Sequence, residues 1–204
     1  MSSTPGIDAA IIRSDLVRDA FEAARHAHAG QVRSGSVGVP YIDHPLGVAE
    51  RLAKHGFGDD VLAAALLHDV VEDSEMEVAD VRARFGDPVS DLVEAMTDDE
   101  TIESYEDRKE EHRRRVAEAG PTAMAIFAAD KVTNVEMLRD AYALSGEAVS
   151  DELKVSLDVK IFIWEVDLEM LFNEAPELPL VDEFADEMVG LWGDRFKDVR
   201  ASSG

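Results

Sequence analysis

Four ionisable residues directly follow a short apolar segment of this 204-residue chain. The segment is Val61–Leu67, and after it come His68, Asp69, Glu72 and Asp73. On a helix, His68 and Glu72 lie one turn apart and share a face, and the same spacing relates Asp69 to Asp73. Burying such groups is costly unless a cation satisfies them, and a divalent metal held by His68 and Asp69 would do so. The alternative is a helix that reaches the surface at Asp69 with solvated charges, because His-Asp dipeptides are common by chance.

Two further segments place ionisable residues where a metal site could use them. His44 stands between a glycine-rich loop and the start of a helix, and Asp130 follows the apolar run Met124–Ala129. With His68 and Asp69 they offer two imidazoles and two carboxylates. This donor set suits a hard-to-borderline divalent ion, and we expect Mn²⁺ with open positions for water or a phosphate oxygen. Zn²⁺ is less favoured, because the chain has no cysteine and a surplus of carboxylates.

The elements that must position these residues are predicted to be helices. Apolar residues recur at helical spacing, and no alternating run is long enough to indicate a sheet. We therefore expect an all-α fold with helices over residues 8–29, 45–55, 60–73, 77–85, 89–96, 104–119, 122–144, 150–173 and 181–198. A proline-rich stretch precedes the last helix. We predict a main domain of residues 1–175 and a helical extension of residues 176–204 that packs on it.

Composition limits the classes of function. A chain of 204 residues with 46% hydrophobic content can form one domain with a sizeable core. The absence of cysteine excludes disulfides, thiolate metal sites and a cysteine nucleophile. The net charge of −24 repels a phosphate backbone, so neither nucleic acid nor an anionic membrane is expected as a partner. A small anionic substrate would need a local cationic pocket or a bound metal.

The sequence also carries expectations about location and assembly. No stretch approaches the roughly 20 apolar residues of a bilayer span. The first ten residues have neither a basic nor an apolar segment typical of an export signal. We therefore expect a cytoplasmic protein outside the membrane. The oligomeric state stays open, since apolar helix faces could be buried within one chain or between two.

Ordered motifs between about residues 20 and 140 resemble those of the HD-domain metal-dependent phosphohydrolases. More narrowly, they are similar to the RelA/SpoT-type alarmone hydrolases in their small, stand-alone form. The motifs are AHAGQVR at 27–33, PYIDHPLGVA at 40–49, LLHDVVED at 66–73, FGDPVSDLVEAMTDD at 85–99, DRKEE around 108 and ADKVTN at 129–134. A His-Asp pair alone is a weak signal, whereas these motifs in this order are specific.

This resemblance implies a single HD-domain helical bundle with Mn²⁺-dependent hydrolase activity. The implied reaction removes the 3′-pyrophosphate of guanosine tetra- or pentaphosphate, giving GDP or GTP and pyrophosphate. The implied metal ligands are His44, His68, Asp69 and Asp130. Glu72 and Asp73 match the acidic pair that positions or deprotonates the attacking water. Asn134 matches a polar residue of the same pocket.

The resemblance also bears on the choice of substrate. Arg33 matches a basic residue beside the nucleotide base. The family usually has a second basic residue next in sequence, where this chain has Ser34. Lys131 could neutralise a phosphate or pair with an acid, and we favour the phosphate. The alternatives are an HD phosphohydrolase for another nucleotide and a catalytically silent nucleotide-binding module, against which the intact ligand set argues.

The remaining noteworthy residues are predicted to be structural. His28 is expected to interact with the end of the first helix and is left out of the site. Three other histidines are expected on the surface: His26, His55 and His112. The cations of residues 108–115 are expected to pair with neighbouring glutamates rather than to bind phosphate. Three aromatic residues at helical spacings are expected in the core: Phe162, Trp164 and Phe172.

Overall fold

The computed structural model describes residues 6–33, 38–153 and 155–202, and all of their side chains except those of residues 147, 151, 152 and 194–202. Ser34 therefore lies outside the described residues. Over these ranges the backbone is helical and forms no β-strand, apart from one isolated bridge between Val32 and Pro40. This result confirms the all-α prediction. None of the described helices is both long and apolar enough to cross a membrane.

The helices follow one another through short connections. Their bounds are α1 (Ile7–Arg13), α2 (Asp15–Ala27), α3 (Asp43–Lys54), α4 (Asp59–Leu67), α5 (Val70–Asp73), α6 (Val78–Phe85), α7 (Asp87–Met96), α8 (Tyr105–Ala119), α9 (Pro121–Ser145), a 3-10 helix (Gly146–Glu152), α10 (Leu157–Glu174) and α11 (Pro179–Ser202). Most of them begin and end within a few residues of the predicted bounds.

Three predicted helices break or begin at other residues in the structure. The first is two helices, because Ser14 adopts an extended conformation and its hydroxyl accepts the Val17 N–H at the start of α2. The third ends at Leu67, and a turn at residues 68–69 separates α4 from α5. The helix predicted over 150–173 begins only at Leu157, where Ser156 caps α10.

Two helical stretches that are buried on all sides form the centre of the molecule. Every residue of 62–68, in and just after α4, and every residue of 123–133 in α9 is buried. The helices around them cover both: α4 packs against α2, α3 and α7, and α9 packs against α3, α8 and α11. Because their apolar residues face every direction, α4 and α9 are core helices rather than amphipathic surface helices. Their polar residues are therefore held deep inside the protein.

The last helix packs on α9 and also contacts α10. Its inner face buries Leu180, Val181, Phe184, Met188 and Leu191. The boundary at residue 175 between domain and extension stays a prediction.

The prediction that the three aromatic residues of α10 belong to the core is wrong for two of them. Phe162 is 58% exposed and Phe172 is 46% exposed, since both lie on a side of α10 that the described helices leave uncovered. Trp164 is buried as predicted, with 4% of its surface exposed. It also lines the large cavity described below.

Replacing Phe184 with Ala should lower the free energy of unfolding by about 3–5 kcal/mol, because it leaves a cavity between α11 and the core. Phe162→Ala is the matched control, and its effect should stay within about 0.5 kcal/mol because that ring is largely exposed. Urea unfolding followed by circular dichroism measures both. Equal losses in the two variants would contradict the packing described for α11.

Candidate active site

Three helical segments bring His44, His68 and Asp130 together. His44 lies in the first turn of α3, His68 directly follows α4, and Asp130 lies in the buried part of α9. All three are buried, and their candidate ligand atoms lie within 4.8 Å of one another. His44 Nε2 is 3.0 Å from Asp130 Oδ1 and 3.3 Å from His68 Nε2. The three residues form a cluster that can hold a metal ion.

Asp69 lies against the same cluster. Its Oδ1 is 3.1 Å from His68 Nε2, and its Oδ2 is 3.6 Å from His44 Nε2. The turn between α4 and α5 makes this possible, because it directs two consecutive side chains toward one point. All four predicted ligands are thus close together, and their joint coordination of one ion stays a prediction.

The close approach of α3 to α9 helps to set the separation of His44 and Asp130. Gly47 is three residues after His44, and a Cβ atom there would lie only 3.1 Å from Thr133 Cγ2 on α9. A larger residue would require the Thr133 side chain or one of the two helices to give way by a few tenths of an ångström. The absence of a side chain at Gly47 therefore lets the two helices pack this closely.

The chemistry of the donors fits a divalent cation. His68 Nδ1 is 2.8 Å from the Ala65 carbonyl oxygen, so this nitrogen carries the proton and leaves Nε2 of the neutral ring available as a ligand. Within the described residues, buried His44 Nδ1 has no hydrogen-bond partner. Two imidazole nitrogens and two carboxylates that face one another suit a hard-to-borderline ion.

The electrostatics of the cluster also favour a bound cation. Burial lowers the pKa of His44 to about 4, with the nearby Arg33 contributing. Burial opposes protonation of His68 as well, but Asp69 and Asp130 outweigh it and raise the pKa of His68 to about 9. In a dry interior, the carboxylates therefore draw positive charge onto the imidazole next to them. A metal ion would satisfy the same demand.

Arg33 and Asn134 belong to the immediate surroundings of the cluster. Arg33 Nη1 lies 3.3 Å from Asp69 Oδ2, and another guanidinium N–H donates to Asn134 Oδ1. Asn134 Nδ2 in turn donates to Asp130 Oδ1 over 2.7 Å. The Arg33 guanidinium thus interacts with both carboxylates of the cluster, directly with Asp69 and through Asn134 with Asp130. Its contact with a nucleotide base stays a prediction.

Tyr41 connects the cluster to the acidic pair and was missed by the sequence reasoning. Its hydroxyl is 2.8 Å from Asp69 Oδ2 and also contacts Asp73 Oδ2. Burial and the two carboxylates raise the pKa of Tyr41, so the phenol stays protonated and can donate. The available signal was its place in the YIDHP segment, three residues before His44.

His28 is part of the support of the site, in addition to ending α2 as predicted. Its buried ring stacks on Tyr41 with 4.4 Å between the ring centres. Its Nδ1 is 2.8 Å from Gln31 Oε1, and Gln31 Nε2 donates to the Asp73 carbonyl over 2.7 Å. His28 and Gln31 of the AHAGQVR motif thus support Tyr41 and the backbone at Asp73.

Glu72 is held at the cavity by a backbone group. Its carboxylate accepts a hydrogen bond from the Asp98 N–H, just beyond the end of α7. Burial raises the pKa of Glu72 to about 7, with the nearby carboxylates of Asp69 and Asp98 adding to the effect. A carboxyl group with a pKa near neutrality is suited to general base catalysis.

The prediction that His112 lies on the surface is wrong. The residue is 4% exposed, and its Nδ1 is 3.0 Å from Asp98 Oδ1. Its ring also meets Phe127 edge-on, with 5.4 Å between the centres. The highly charged sequence around it concealed that one face of α8 packs against the protein. His26 and His55 are exposed, as predicted.

The cations of α8 lie in three environments. Arg113 pairs with the buried Asp167 of α10 over 2.9 Å and not with a neighbouring glutamate as predicted. Arg114 and Arg115 pair with Glu111 on the same helix, as predicted. Arg108 and Lys109 instead line the cavity and contact Asp98, with a 2.5 Å distance from Lys109 Nζ to Asp98 Oδ2. For these two residues the predicted pairing with neighbouring glutamates is wrong, because they face the interior side of the helix.

A cavity of about 460 Å³ joins these groups. Its wall includes Asp69, Glu72 and Asp130, together with further residues of α8, α9 and α10. Lys131 lines it while its Nζ lies 2.8 Å from Asp130 Oδ2, so it does pair with an acid. The volume lies within the range typical of small-molecule sites.

Comparison with known proteins assigns the chain to a family. The family model described as an HD domain matches residues 20–154. The chain belongs to the HD-domain family. The matched part of this HD domain includes all four predicted metal ligands and both members of the acidic pair, whereas α10 and α11 lie beyond it.

The chain is similar to proteins from several organisms. Over 122 residues it is 40% identical to guanosine-3′,5′-bis(diphosphate) 3′-pyrophosphohydrolase MESH1 of Mus musculus, covering 59% of this chain and 68% of that protein. Over 162 residues it is 30% identical to guanosine-3′,5′-bis(diphosphate) 3′-pyrophosphohydrolase of Aquifex aeolicus, covering 77% of this chain but only 23% of that protein. The crystal structure of lmo0812 from Listeria monocytogenes superposes with a TM-score of 0.65 at 36% identity, covering 71% of this chain and 96% of that one.

Asp130→Asn should abolish tight binding of a divalent cation, because it neutralises a buried carboxylate of the cluster. Addition of Mn²⁺ to the chelator-treated wild-type protein should raise its Tm, and the variant should show no such rise. Asp60→Asn changes the charge equally at an exposed position and serves as the control. A rise in Asp130→Asn equal to that of the wild type would contradict the proposed site.

Glu72 should make metal-free protein less stable as the pH rises through 7. The unfolded carboxyl group loses its proton near the ordinary pKa of 4.5 and the folded one near 7, so the folded state binds more protons in between. Relative to Glu72→Gln, the wild type should therefore lose up to about 3 kcal/mol of unfolding free energy between pH 4.5 and pH 7.5. Urea unfolding in the presence of a chelator measures this difference. A constant difference across that range would show that the Glu72 pKa is not raised.

Proposed function

We propose that this HD domain hydrolyses guanosine 3′,5′-bis(diphosphate) (ppGpp) and its pentaphosphate analogue, giving GDP or GTP and pyrophosphate. The observation that carries the proposal is the buried His44–His68–Asp130 cluster, joined by Asp69. His68, Asp69 and Asp130 line a cavity whose wall also contains several lysine and arginine side chains. The names of the relatives from Mus musculus and Aquifex aeolicus support the same reaction. A nucleotide substrate, a cytoplasmic location and the absence of nucleic-acid or membrane partners belong to this proposal.

The proposed metal ligands are His44, His68, Asp69 and Asp130, and the proposed ion is Mn²⁺. Two imidazoles with two carboxylates match its preference for nitrogen and oxygen donors, and the chain has no cysteine that would favour a softer ion. When bound, a divalent cation supplies Lewis-acid polarisation of a phosphoryl oxygen and lowers the pKa of a water molecule.

The cationic side chains of the cavity would recruit the phosphates. The protein carries a net charge of −24, which disfavours the approach of an anion over most of its surface. In the cavity, Arg33, Arg108, Lys109 and Lys131 offset this charge locally. Lys131 already contacts Asp130, so it can approach a phosphate without an isolated charge being buried.

Glu72 is the proposed general base, and Asp73 the residue that helps to orient the attacking water. With a pKa near 7, the Glu72 carboxylate can accept a proton at neutral pH. Water adds to the phosphorus atom bound to the ribose 3′-oxygen, and the bond between that phosphorus and the 3′-oxygen breaks. One proton of the water passes to Glu72, and the water oxygen stays on the phosphorus of the released pyrophosphate. The leaving 3′-oxygen takes up a proton from solvent and becomes the ribose hydroxyl group. Asp98 N–H fixes the position of Glu72, and the Tyr41 hydroxyl fixes that of Asp73.

A second candidate is the same reaction on a different nucleotide. The observation that favours it is Ser34, at a position where the resembling family usually has a basic residue. A missing cation beside the base would weaken contacts that select guanosine. A catalytically silent nucleotide-binding module is less well supported, because the four candidate ligands are all present and close together.

Wild-type protein should release GDP and pyrophosphate from ppGpp in equal amounts, and only with a divalent cation present. Glu72→Gln should keep the metal and lose activity by about 10²–10⁴-fold, the usual contribution of a general base. Glu75→Gln, an exposed change on the same segment, is the matched control and should retain full activity.

The results of this assay separate the proposals. Full activity of Glu72→Gln would contradict the assignment of the base. Metal binding by the wild type without turnover of ppGpp would contradict the substrate assignment and favour a different nucleotide.

A further inference from the structure

Lys160 is a cation of the cavity wall that lies outside the HD-domain match. The match ends at residue 154, and α10 then adds Lys160 and Trp164 to the same cavity that contains Asp69 and Asp130. Lys160 Nζ is 5.1 Å from the centre of the buried Trp164 ring, a distance typical of a cation–π contact. The indole thus limits where the ammonium group can lie.

Lys160 differs from the other cations of the cavity in its partners. Each of the other lysines and arginines that line it has a carboxylate within 4 Å. The pairs, with their N–O distances, are Arg33–Asp69 (3.3 Å), Arg108–Asp98 (3.5 Å), Lys109–Asp98 (2.5 Å) and Lys131–Asp130 (2.8 Å). Among the described side chains, no carboxylate lies this close to Lys160, and its ammonium group has no hydrogen-bond acceptor.

Three other cations of the cavity act on Lys160. Burial lowers the pKa of Lys160 to about 8, and Arg33, Lys131 and Lys109 contribute in the same direction, partly opposed by Asp130. An unpaired ammonium group in such surroundings is stabilised by an anion. A neutral nucleobase would not supply the missing charge, whereas a phosphate group would.

We propose that Lys160 binds the 5′-diphosphate of the nucleotide and thereby makes the enzyme selective for 5′-polyphosphorylated substrates. This inference rests on the proposed function, which places the 3′-pyrophosphate at the metal cluster. The 5′-diphosphate is then the remaining anionic group of ppGpp, and Lys160 is, among the described side chains, the cavity cation that pairs with no carboxylate. A specificity residue on α10 lies outside the segment that defines the family, so relatives can differ at this position while sharing the metal site.

The test compares three substrates that differ only in their 5′-phosphates: ppGpp, guanosine 5′-monophosphate 3′-diphosphate and guanosine 3′-diphosphate. Lys160→Gln should raise the KM for ppGpp by about tenfold or more, as expected for loss of a hydrogen bond to a charged group, and leave kcat within about twofold. The KM for guanosine 3′-diphosphate should not change. Lys160→Arg should restore most of the affinity for ppGpp. Lys54→Gln, at an exposed lysine of α3, controls for the change in net charge.

An equal rise in KM for all three substrates, or no rise, would overturn the proposal. Calorimetric titration with GDP and guanosine 3′-monophosphate gives a readout that does not depend on turnover. Weaker binding of GDP alone by Lys160→Gln would uphold the role of Lys160 even if the wild type did not hydrolyse ppGpp. Equal GDP affinity of wild type and Lys160→Gln would overturn it, whatever the outcome for the proposed reaction.

Discussion

The need to neutralise charge inside a dry helical core governs the arrangement of this protein. Two carboxylates and two imidazoles meet where the buried parts of α4 and α9 lie beside α3. Without a positive charge among them, the carboxylates would be very costly to bury. The raised pKa of His68 is one response to that cost, and a bound divalent cation would be another. The surrounding residues act mainly by holding these four groups in place.

Around this centre, hydrogen bonds connect the candidate ligands to the candidate catalytic acids. Tyr41 joins Asp69 to Asp73, and Asn134 joins Asp130 to Arg33. Such outer contacts fix the direction of ligand side chains and commonly affect metal affinity as much as chemistry. Parts of the AHAGQVR and PYIDHPLGVA motifs belong to this network, since His28, Gln31 and Tyr41 position neighbouring groups.

The sequence allowed the helical fold and the central cluster to be predicted, for identifiable reasons. An apolar run that ends abruptly in His68 and Asp69 is a strong local signal, and the ordered motifs placed His44 and Asp130 beside it. The break between α4 and α5 was not predictable, because both sides of the turn have helical periodicity. His112 was misplaced because its neighbours in sequence are nearly all charged, while its burial depends on Asp98 of another segment. Lys160 had no signal either, since only tertiary packing brings α10 to the cavity.

The short distance between α3 and α9 bears on how such a site can change during evolution. Gly47 lies at the contact between the two helices and binds nothing itself, but its lack of a side chain allows the short distance. A methyl group added there would press on Thr133 Cγ2, and any movement of α3 away from α9 would widen the gap between two donors while every donor remained in the sequence. Homologues with identical ligands could therefore prefer ions of different radius, and an alignment of the ligand residues alone would not reveal the reason.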